Sequence, residues 1–168
     1  MKFVIDENNP YFSTDEDGSF YNKDKTELIL FNGNSARYTV ASSVKTLKSG
    51  CFSGWYISDL TIPDTVETIE PYAFQNCSRL TSIAIPDSVT SIGEGVFQGC
   101  FELISVTIPD NVSSIGGGAF SKCWSLTSIL IPDGVVSIGE GAFASCISLT
   151  SIVIPNSVTS IGGGAFSY

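Results

Sequence analysis

Apolar residues recur along most of this 168-residue chain at a fixed spacing of 23 residues. Within one unit, Ile83 and Ile85 are separated by small residues, which is the period of a β-strand, and Pro86 ends the strand because it has no N–H to donate. A second extended piece over residues 89–92 leads into a glycine corner and a stretch that predicts a single helical or 3₁₀ turn. Each unit therefore has the elements of one solenoid coil.

Seven columns of identical or similar residues keep this register over about five units, which favours coils stacked in parallel about 4.8 Å apart. Stacking turns each column into a continuous buried ladder. A degenerate copy begins at residue 40, with Phe52 in the Phe column, Trp55 in the Cys column and one residue deleted between Phe52 and Leu60. The clearest columns are Pro63, Pro86, Pro109, Pro132 and Pro155; Phe74, Phe97, Phe120, Phe143 and Phe166; and Cys77, Cys100, Cys123 and Cys146.

Composition excludes several function classes. The chain has no histidine, so it cannot build a Ser-His-Asp triad, an HExxH zinc site or a facial-triad iron site. Its 8 Lys and Arg against 17 Asp and Glu give a net charge of −9, which argues against a nucleic-acid partner. The apolar runs are far shorter than the roughly 20 residues of a membrane span, and residues 1–6 lack the apolar region of a signal peptide.

The repeat spacing L-x-x-I-x-I-P-x-x-V-x-x-I-G-x-x-A-F-x-x-C resembles the leucine-rich repeat of the BspA-like bacterial surface proteins and their treponemal relatives. Residues 126–132 (LTSILIP) and 141–146 (GAFASC) illustrate the match, and residues 4–12 and 17–29 are similar to the strand-rich N-terminal module of that family. The resemblance implies a β-rich, right-handed leucine-rich-repeat solenoid with 23-residue repeats, parallel strands and short 3₁₀ or helical turns. The expected organisation is a capping module over residues 1–39 and, in one continuous domain, a solenoid over residues 40–168 with one degenerate repeat and about five regular units.

The ladder cysteines and the acids that follow the prolines are the residues with chemistry to consider. A cysteine column could hold metal ions or disulfides, but it spreads its sulfurs along an axis, and buried small side chains are the favoured interpretation. The acidic column could hold calcium, although Asx turns or caps explain it better. Its members are Asp64, Asp87, Asp110, Asp133 and Asn156.

Two surfaces remain as candidates for partner binding. The outward strand positions are small and neutral, becoming more apolar toward the C-terminus, and a bland spacer face is the favoured interpretation of them. The position after the ladder cysteines holds Ser78 in the first regular coil and then an apolar stripe, which is either a docking site or a lid over the core. The strand-face candidates are Ser105, Thr107, Ser128, Leu130, Ser151 and Val153; the stripe comprises Phe101, Trp124 and Ile147.

The resemblance, together with the regular solenoid and the lack of an acid–base or metal constellation in the sequence, favours a non-catalytic protein-binding or adhesion module of a microbial cell-surface or secreted protein, without cofactor or metal. The alternative is a structural spacer or stalk of a longer surface protein, which the end of the chain within a repeat also favours. The expected partner is a protein, with host matrix and surface proteins as candidates, and neither nucleic acid binding nor membrane insertion is expected. We also expect self-association through Ile152, Ile154 and Ile161 in the last coil, because that coil exposes strand edges.

Overall fold

A computed structural model describes residues 4–168. Met1, Lys2 and Phe3, which begin the expected capping module and the segment where no signal peptide is expected, lie outside the described residues. The described chain is built from short strands and turns and contains no helix. The predicted solenoid of parallel strands is confirmed. Its strands are β1 (Phe12–Thr14), β2 (Phe20–Asn22), β3 (Glu27–Leu30), β4 (Arg37–Thr39), β5 (Thr46–Leu47), β6 (Asp59–Thr61), β7 (Thr68–Ile69), β8 (Ser82–Ala84), β9 (Ser91–Ile92), β10 (Ser105–Thr107), β11 (Ser114–Ile115), β12 (Ser137–Ile138) and β13 (Ser160–Ile161).

One parallel ladder is formed by the second extended piece of each coil. Strands β9, β11, β12 and β13 pair in register, so that Ser114 lies opposite Ser91 and Ser137, and each isoleucine lies over the isoleucine of the neighbouring coil. In an earlier sheet, β3 pairs in parallel with β5, and β5 with β7. The antiparallel strands β1 and β2 extend that sheet beyond β3 and thereby cover the first edge of the stack.

A second ladder runs through the turn that follows each glycine corner. Every second residue of the turn donates its N–H to a carbonyl oxygen of its own coil. For example, the Cys100 N–H donates to the Phe97 carbonyl oxygen at 3.1 Å. The residues between them donate to the next coil, as Phe97 N–H does to the Ala119 oxygen at 2.8 Å. The expected turn is therefore present as consecutive turns tied to the neighbouring coil, and this arrangement satisfies its backbone groups without a helix.

The phenylalanine column is stacked through the centre of these turns. From Phe52 to Phe166, successive ring centroids lie between 5.3 and 5.6 Å apart, with interplanar angles of at most 18°. The rings of Phe52, Phe74, Phe97 and Phe120 have no solvent exposure. Offset stacking of this kind contributes about 0.5–1.5 kcal/mol per pair beyond the burial of apolar area.

The sequence predicts a strand in the first extended piece of every coil, and the structure has one in only some of the coils. Strand β4 pairs with β6, and β8 pairs with β10, but residues 128–130 and 151–153 form no strand. No backbone hydrogen bond of the described chain joins these two segments to each other or joins 128–130 to β10. These coils are held together instead at the turns and the Ser-Ile strands.

Glycine permits the close approach of the coils at the corner. A Cβ atom on Gly139 would lie 2.4 Å from the backbone nitrogen of Gly117 and 2.6 Å from the carbonyl carbon of Gly116. Two residues later, Gly141 has a φ of 59°, a left-handed conformation that costs other residues about 1–2 kcal/mol. Glycine in this corner is thus required by distance at Gly139 and favoured by backbone conformation at Gly141, whose column also holds Tyr72 at a φ of 61°.

We predict that Gly139→Ala lowers the free energy of unfolding by about 2 kcal/mol, because the added methyl overlaps the backbone of the preceding coil. The matched control is Gly93→Ala in the same column, where the nearest atoms to the new Cβ lie at an ordinary 3.6 Å. Urea unfolding followed by circular dichroism measures both variants. Equal losses for the two variants would contradict the assignment of Gly139 to a close approach.

Candidate protein-binding surface

The ladder cysteines are structural. All five cysteines of the chain are buried free thiols. Each ladder cysteine donates its S–H to the carbonyl oxygen of the ladder phenylalanine one coil earlier, as Cys123 Sγ does to the Phe97 oxygen at 3.2 Å. The same carbonyl also accepts the Cys100 N–H, so both lone pairs of this buried oxygen are used.

Burial makes these thiols poor nucleophiles. It raises the pKa of the Cys77 thiol to about 12 and that of Cys146 to about 11. The pKa of Cys51, outside the ladder, is raised by burial as well. Because the thiolate is the reactive and metal-binding form, these groups are unsuited to covalent catalysis at neutral pH. Within residues 4–168, no group of three or more cysteine, aspartate or glutamate side chains is arranged to hold a metal ion.

The acids after the prolines do not make the Asx turns that the sequence predicts. The turn is closed instead by the backbone, with Val89 N–H donating to the Pro86 oxygen at 3.0 Å and Val112 N–H to the Pro109 oxygen at 3.1 Å. Asp87 and Asp110 occupy the second position of these turns and are exposed. Proline presents its carbonyl to the turn, so no side-chain acceptor is needed, and the acids are left free in solvent.

The structure brings Phe101 and Trp124 together on the edge of the solenoid formed by the loops that follow the ladder cysteines, here called the loop edge. Their ring centroids lie 4.3 Å apart with an interplanar angle of 27°. The backbone fixes this pair, because Ser125 N–H donates to the Phe101 oxygen at 3.1 Å between the two coils. Phe101 is half-buried, whereas Trp124 keeps 44% of its surface exposed and Ile147, in the next coil, keeps 64%. A lid over the core would require a largely inaccessible Trp124.

The strand-face candidates are all exposed, but they do not form one continuous sheet. Ser105 and Thr107 belong to β10, whereas Ser128 and Ser151 lie in the unpaired segments. Leu130 and Val153 keep 76% and 79% of their surface exposed, more than Trp124 or Ile147 of the stripe. This face therefore becomes apolar over the C-terminal coils, as the sequence predicts, without an aromatic anchor.

Two features of the loop edge were missed by sequence reasoning. Tyr56 occupies the stripe position of the degenerate coil, and the guanidinium of Arg79 lies 5.6 Å from the centroid of its ring. Ile104, three residues after Phe101, is also exposed. The register that places Trp55 in the Cys column already places Tyr56 in the position of Ser78, Phe101 and Trp124, so this residue could have been found from the repeat.

The two halves of the chain differ in their balance of acidic and basic residues. Residues 80–168 contain six acidic side chains and a single cation, Lys122. Basic residues are concentrated before this point, where Arg37 pairs with Asp59 and Lys45 with Glu67, each at 3.6 Å between exposed groups. The stripe consequently lies in the acidic part of the chain, with Glu102 directly following Phe101. No helix long and apolar enough to cross a membrane occurs among the described residues.

Comparisons with known proteins agree with this architecture. A family model described as the BspA type leucine-rich repeat region matches residues 45–168 in six copies. A leucine-rich repeat protein of Eubacterium ventriosum is 27% identical with a TM-score of 0.79, over 99% of this chain and 52% of that one. The pneumococcal vaccine antigen PcpA is 26% identical with a TM-score of 0.78, over 96% of this chain and 44% of that one.

A leucine-rich cell surface protein of Faecalibacterium prausnitzii is also similar, with 29% identity and a TM-score of 0.74 over 89% of this chain. The matched region is 38% of the length of that protein, so this chain spans about half or less of each of the three solved structures. A search of curated proteins gave no match. The resemblance drawn from the repeat spacing is confirmed by the family model.

Proposed function

This chain belongs to the BspA-type leucine-rich repeat family, and on that premise we propose that it is a non-catalytic protein-binding module used in adhesion. The expected setting is a bacterial cell surface or a secreted protein. One of the similar structures is named as a cell surface protein and another as a vaccine antigen, which supports an extracellular location. Its partner is a protein, with host matrix and surface proteins as the candidates.

The observation that carries this proposal is the stacked pair of Phe101 and Trp124. Trp124 is 44% exposed although its ring lies against Phe101, so the pair is rigid before any partner arrives. A fixed side chain loses little rotamer entropy on binding, and exposed tryptophan is the residue type most enriched at interface hot spots. Ile147 continues the apolar surface on the next coil.

The acidic surroundings of the pair define the partner further. Glu102, directly after Phe101, is exposed, and residues 80–168 carry six acidic side chains against one cation, Lys122. A partner that places apolar side chains on the stripe and basic side chains around them would complement this surface. Association should therefore slow and weaken as the salt concentration rises, because rim charges act mainly on the rate of encounter.

A spacer function remains the second candidate, supported by the strand face. Ser105, Thr107, Ser128 and Ser151 are small neutral residues on the exposed side of their coils. Such a face offers no anchor of its own, which suits a stalk that displays another part of a longer protein. Ligand binding distinguishes the two functions, because a stalk binds no ligand of its own.

We predict that Phe101→Ser/Trp124→Ser weakens binding to a matrix-protein ligand by at least tenfold, about 1.4 kcal/mol. The measurement is surface plasmon resonance of the chain against a panel of host matrix proteins. The matched control is Leu130→Ser/Val153→Ser, which removes two more-exposed apolar side chains from the strand face and should bind within about twofold of the original chain. The strand-face variant should unfold at nearly the original urea concentration, because exposed positions contribute little to stability. The stripe variant also loses the half-buried Phe101 ring and its stacking, about 0.5–1.5 kcal/mol, and an unchanged circular dichroism spectrum shows that it still folds.

Two results would count against adhesion through the stripe. If the strand-face variant loses binding and the stripe variant does not, the docking site is the strand face. If the original chain binds no member of the panel, the spacer function is favoured.

We also propose that the chain self-associates through its last coil. Ile152 and Ile154 are only partly buried and Ile161 keeps 49% of its surface exposed, whereas Ile131 and Ile138 one coil earlier are buried. Covering these residues with a second copy would remove the apolar surface and the strand edge of β13 from water. Light scattering should show an average mass that rises with concentration and falls for Ile161→Lys. A monodisperse monomer at high concentration would contradict this proposal.

A further inference from the structure

A cleft of about 210 Å³ opens at the N-terminal end of the loop edge, between the loop after β3 and the segment before β6. Nothing in the proposed adhesion surface uses it. The cleft joins the aromatic side chains of Trp55 and Tyr56 to the small polar side chains of Asn34 and Ser35. Its lining residues are Gly33, Asn34, Ser35, Trp55, Tyr56 and Ile57.

The cleft exists because the first coil breaks the repeat at this point. Trp55 stands where later coils have a buried cysteine, and the segment from Trp55 to Leu60 is one residue shorter than that from Cys77 to Ile83. The indole is too large for the small buried site that the cysteines fill. It packs its edge against Phe31 instead, with centroids 5.2 Å apart and an interplanar angle of 77°, and remains partly exposed.

The walls of the cleft are held in place by the backbone. Ser58 and Asp59 both donate their N–H to the Ala36 oxygen, at 2.9 and 3.1 Å, which ties the two lining segments together. Beneath them, Phe31 N–H donates to the Cys51 oxygen at 2.8 Å. Tyr56 is steadied by the guanidinium of Arg79 near its ring. The cleft is therefore largely formed before a ligand enters.

The polar groups of the cleft are neutral and can both donate and accept hydrogen bonds. The Asn34 amide offers an acceptor oxygen and two donor hydrogens. The Ser35 hydroxyl already accepts the Arg37 N–H at 3.1 Å, which leaves its hydrogen available to a ligand. The Tyr56 ring and the Trp55 indole supply apolar surface together with one O–H and one N–H. None of the six lining residues carries an acidic or basic side chain.

We propose that this cleft binds a single neutral pyranose ring, either as a free sugar or as the terminal unit of a glycan. A pyranose has an apolar C–H face suited to an aromatic ring. Its hydroxyl groups can both donate and accept hydrogen bonds, which matches the Asn34 amide and the Ser35 hydroxyl. The volume admits one ring, so affinity is weak, with a Kd on the order of 1 mM. This site is independent of the aromatic stripe and of protein binding.

The experiment is a ¹H–¹⁵N NMR titration of the full chain with methyl glycosides of mannose, galactose and N-acetylglucosamine. Trp55 and Trp124 are the two tryptophans of the chain and give two indole N–H signals, which Trp124→Ser assigns. We expect saturable shifts of the Trp55 indole and of the Asn34 side chain with at least one sugar, and none at Trp124. Glycerol, a polyol without a ring, serves as the ligand control and should cause no saturable shift.

Asn34→Ala and Tyr56→Ala should each weaken this binding at least fivefold, whereas Trp124→Ser leaves it unchanged. Both positions are exposed, and unchanged backbone shifts in the rest of the spectrum show that the variants fold. A second arm tests the same sugars displayed on a carrier protein, which distinguishes a glycan from a free sugar as the source. The proposal is overturned if neither arm gives a saturable response at the cleft, or if the response survives both cleft variants.

Discussion

The contact between neighbouring coils at the phenylalanine turn is the interaction on which the rest of the structure depends. A single coil has 23 residues and cannot bury its own apolar side chains, so it is folded only when the next coil covers it. The turn supplies that cover with a stack of buried rings at 5.3–5.6 Å and with backbone bonds such as that from Phe120 N–H to the Ala142 oxygen at 2.7 Å. Glycine at positions such as Gly139 lets the backbones approach, and the cysteine S–H groups complete the acceptors.

This constraint decides where function can reside. Every inward position must match its neighbour one coil away, so inward residues repeat and carry little information about a ligand. The outward positions are free to differ, and the residues that break the repeat there are the candidates for binding. Phe101 and Trp124 depart from the small Ser78 of their column, and Trp55 departs from the cysteines of its own. Both of the surfaces proposed for ligands are therefore places where the repeat is broken.

The columns of the sequence predicted the fold because stacked identical coils have one way to align their ladders. The burial of Phe97 and Cys100 and the parallel pairing of the Ser-Ile strands follow directly from the spacing. The unpaired segment around Leu130 could not be predicted in this way, since pairing depends on coil spacing on each side of the stack. The prediction of an Asx turn after Pro86 was also wrong. The side chain of Asp87 and the carbonyl of Pro86 can both accept the hydrogen bond that closes the turn, and the sequence does not distinguish them. The exposure of Trp124 required the structure, whereas the place of Tyr56 in the same column did not.

Native-state hydrogen exchange tests the central role of the phenylalanine turn most directly. The amides of Phe97 and Phe120 donate to the next coil, whereas those of Leu130 and Val153 lie in segments without bonds between coils. If the turn holds the stack together, the Phe97 and Phe120 amides should exchange only through global unfolding, with the full free energy of unfolding. The Leu130 and Val153 amides should exchange far faster through local opening. Equal protection of the two groups, or faster exchange at Phe97 and Phe120, would contradict this account.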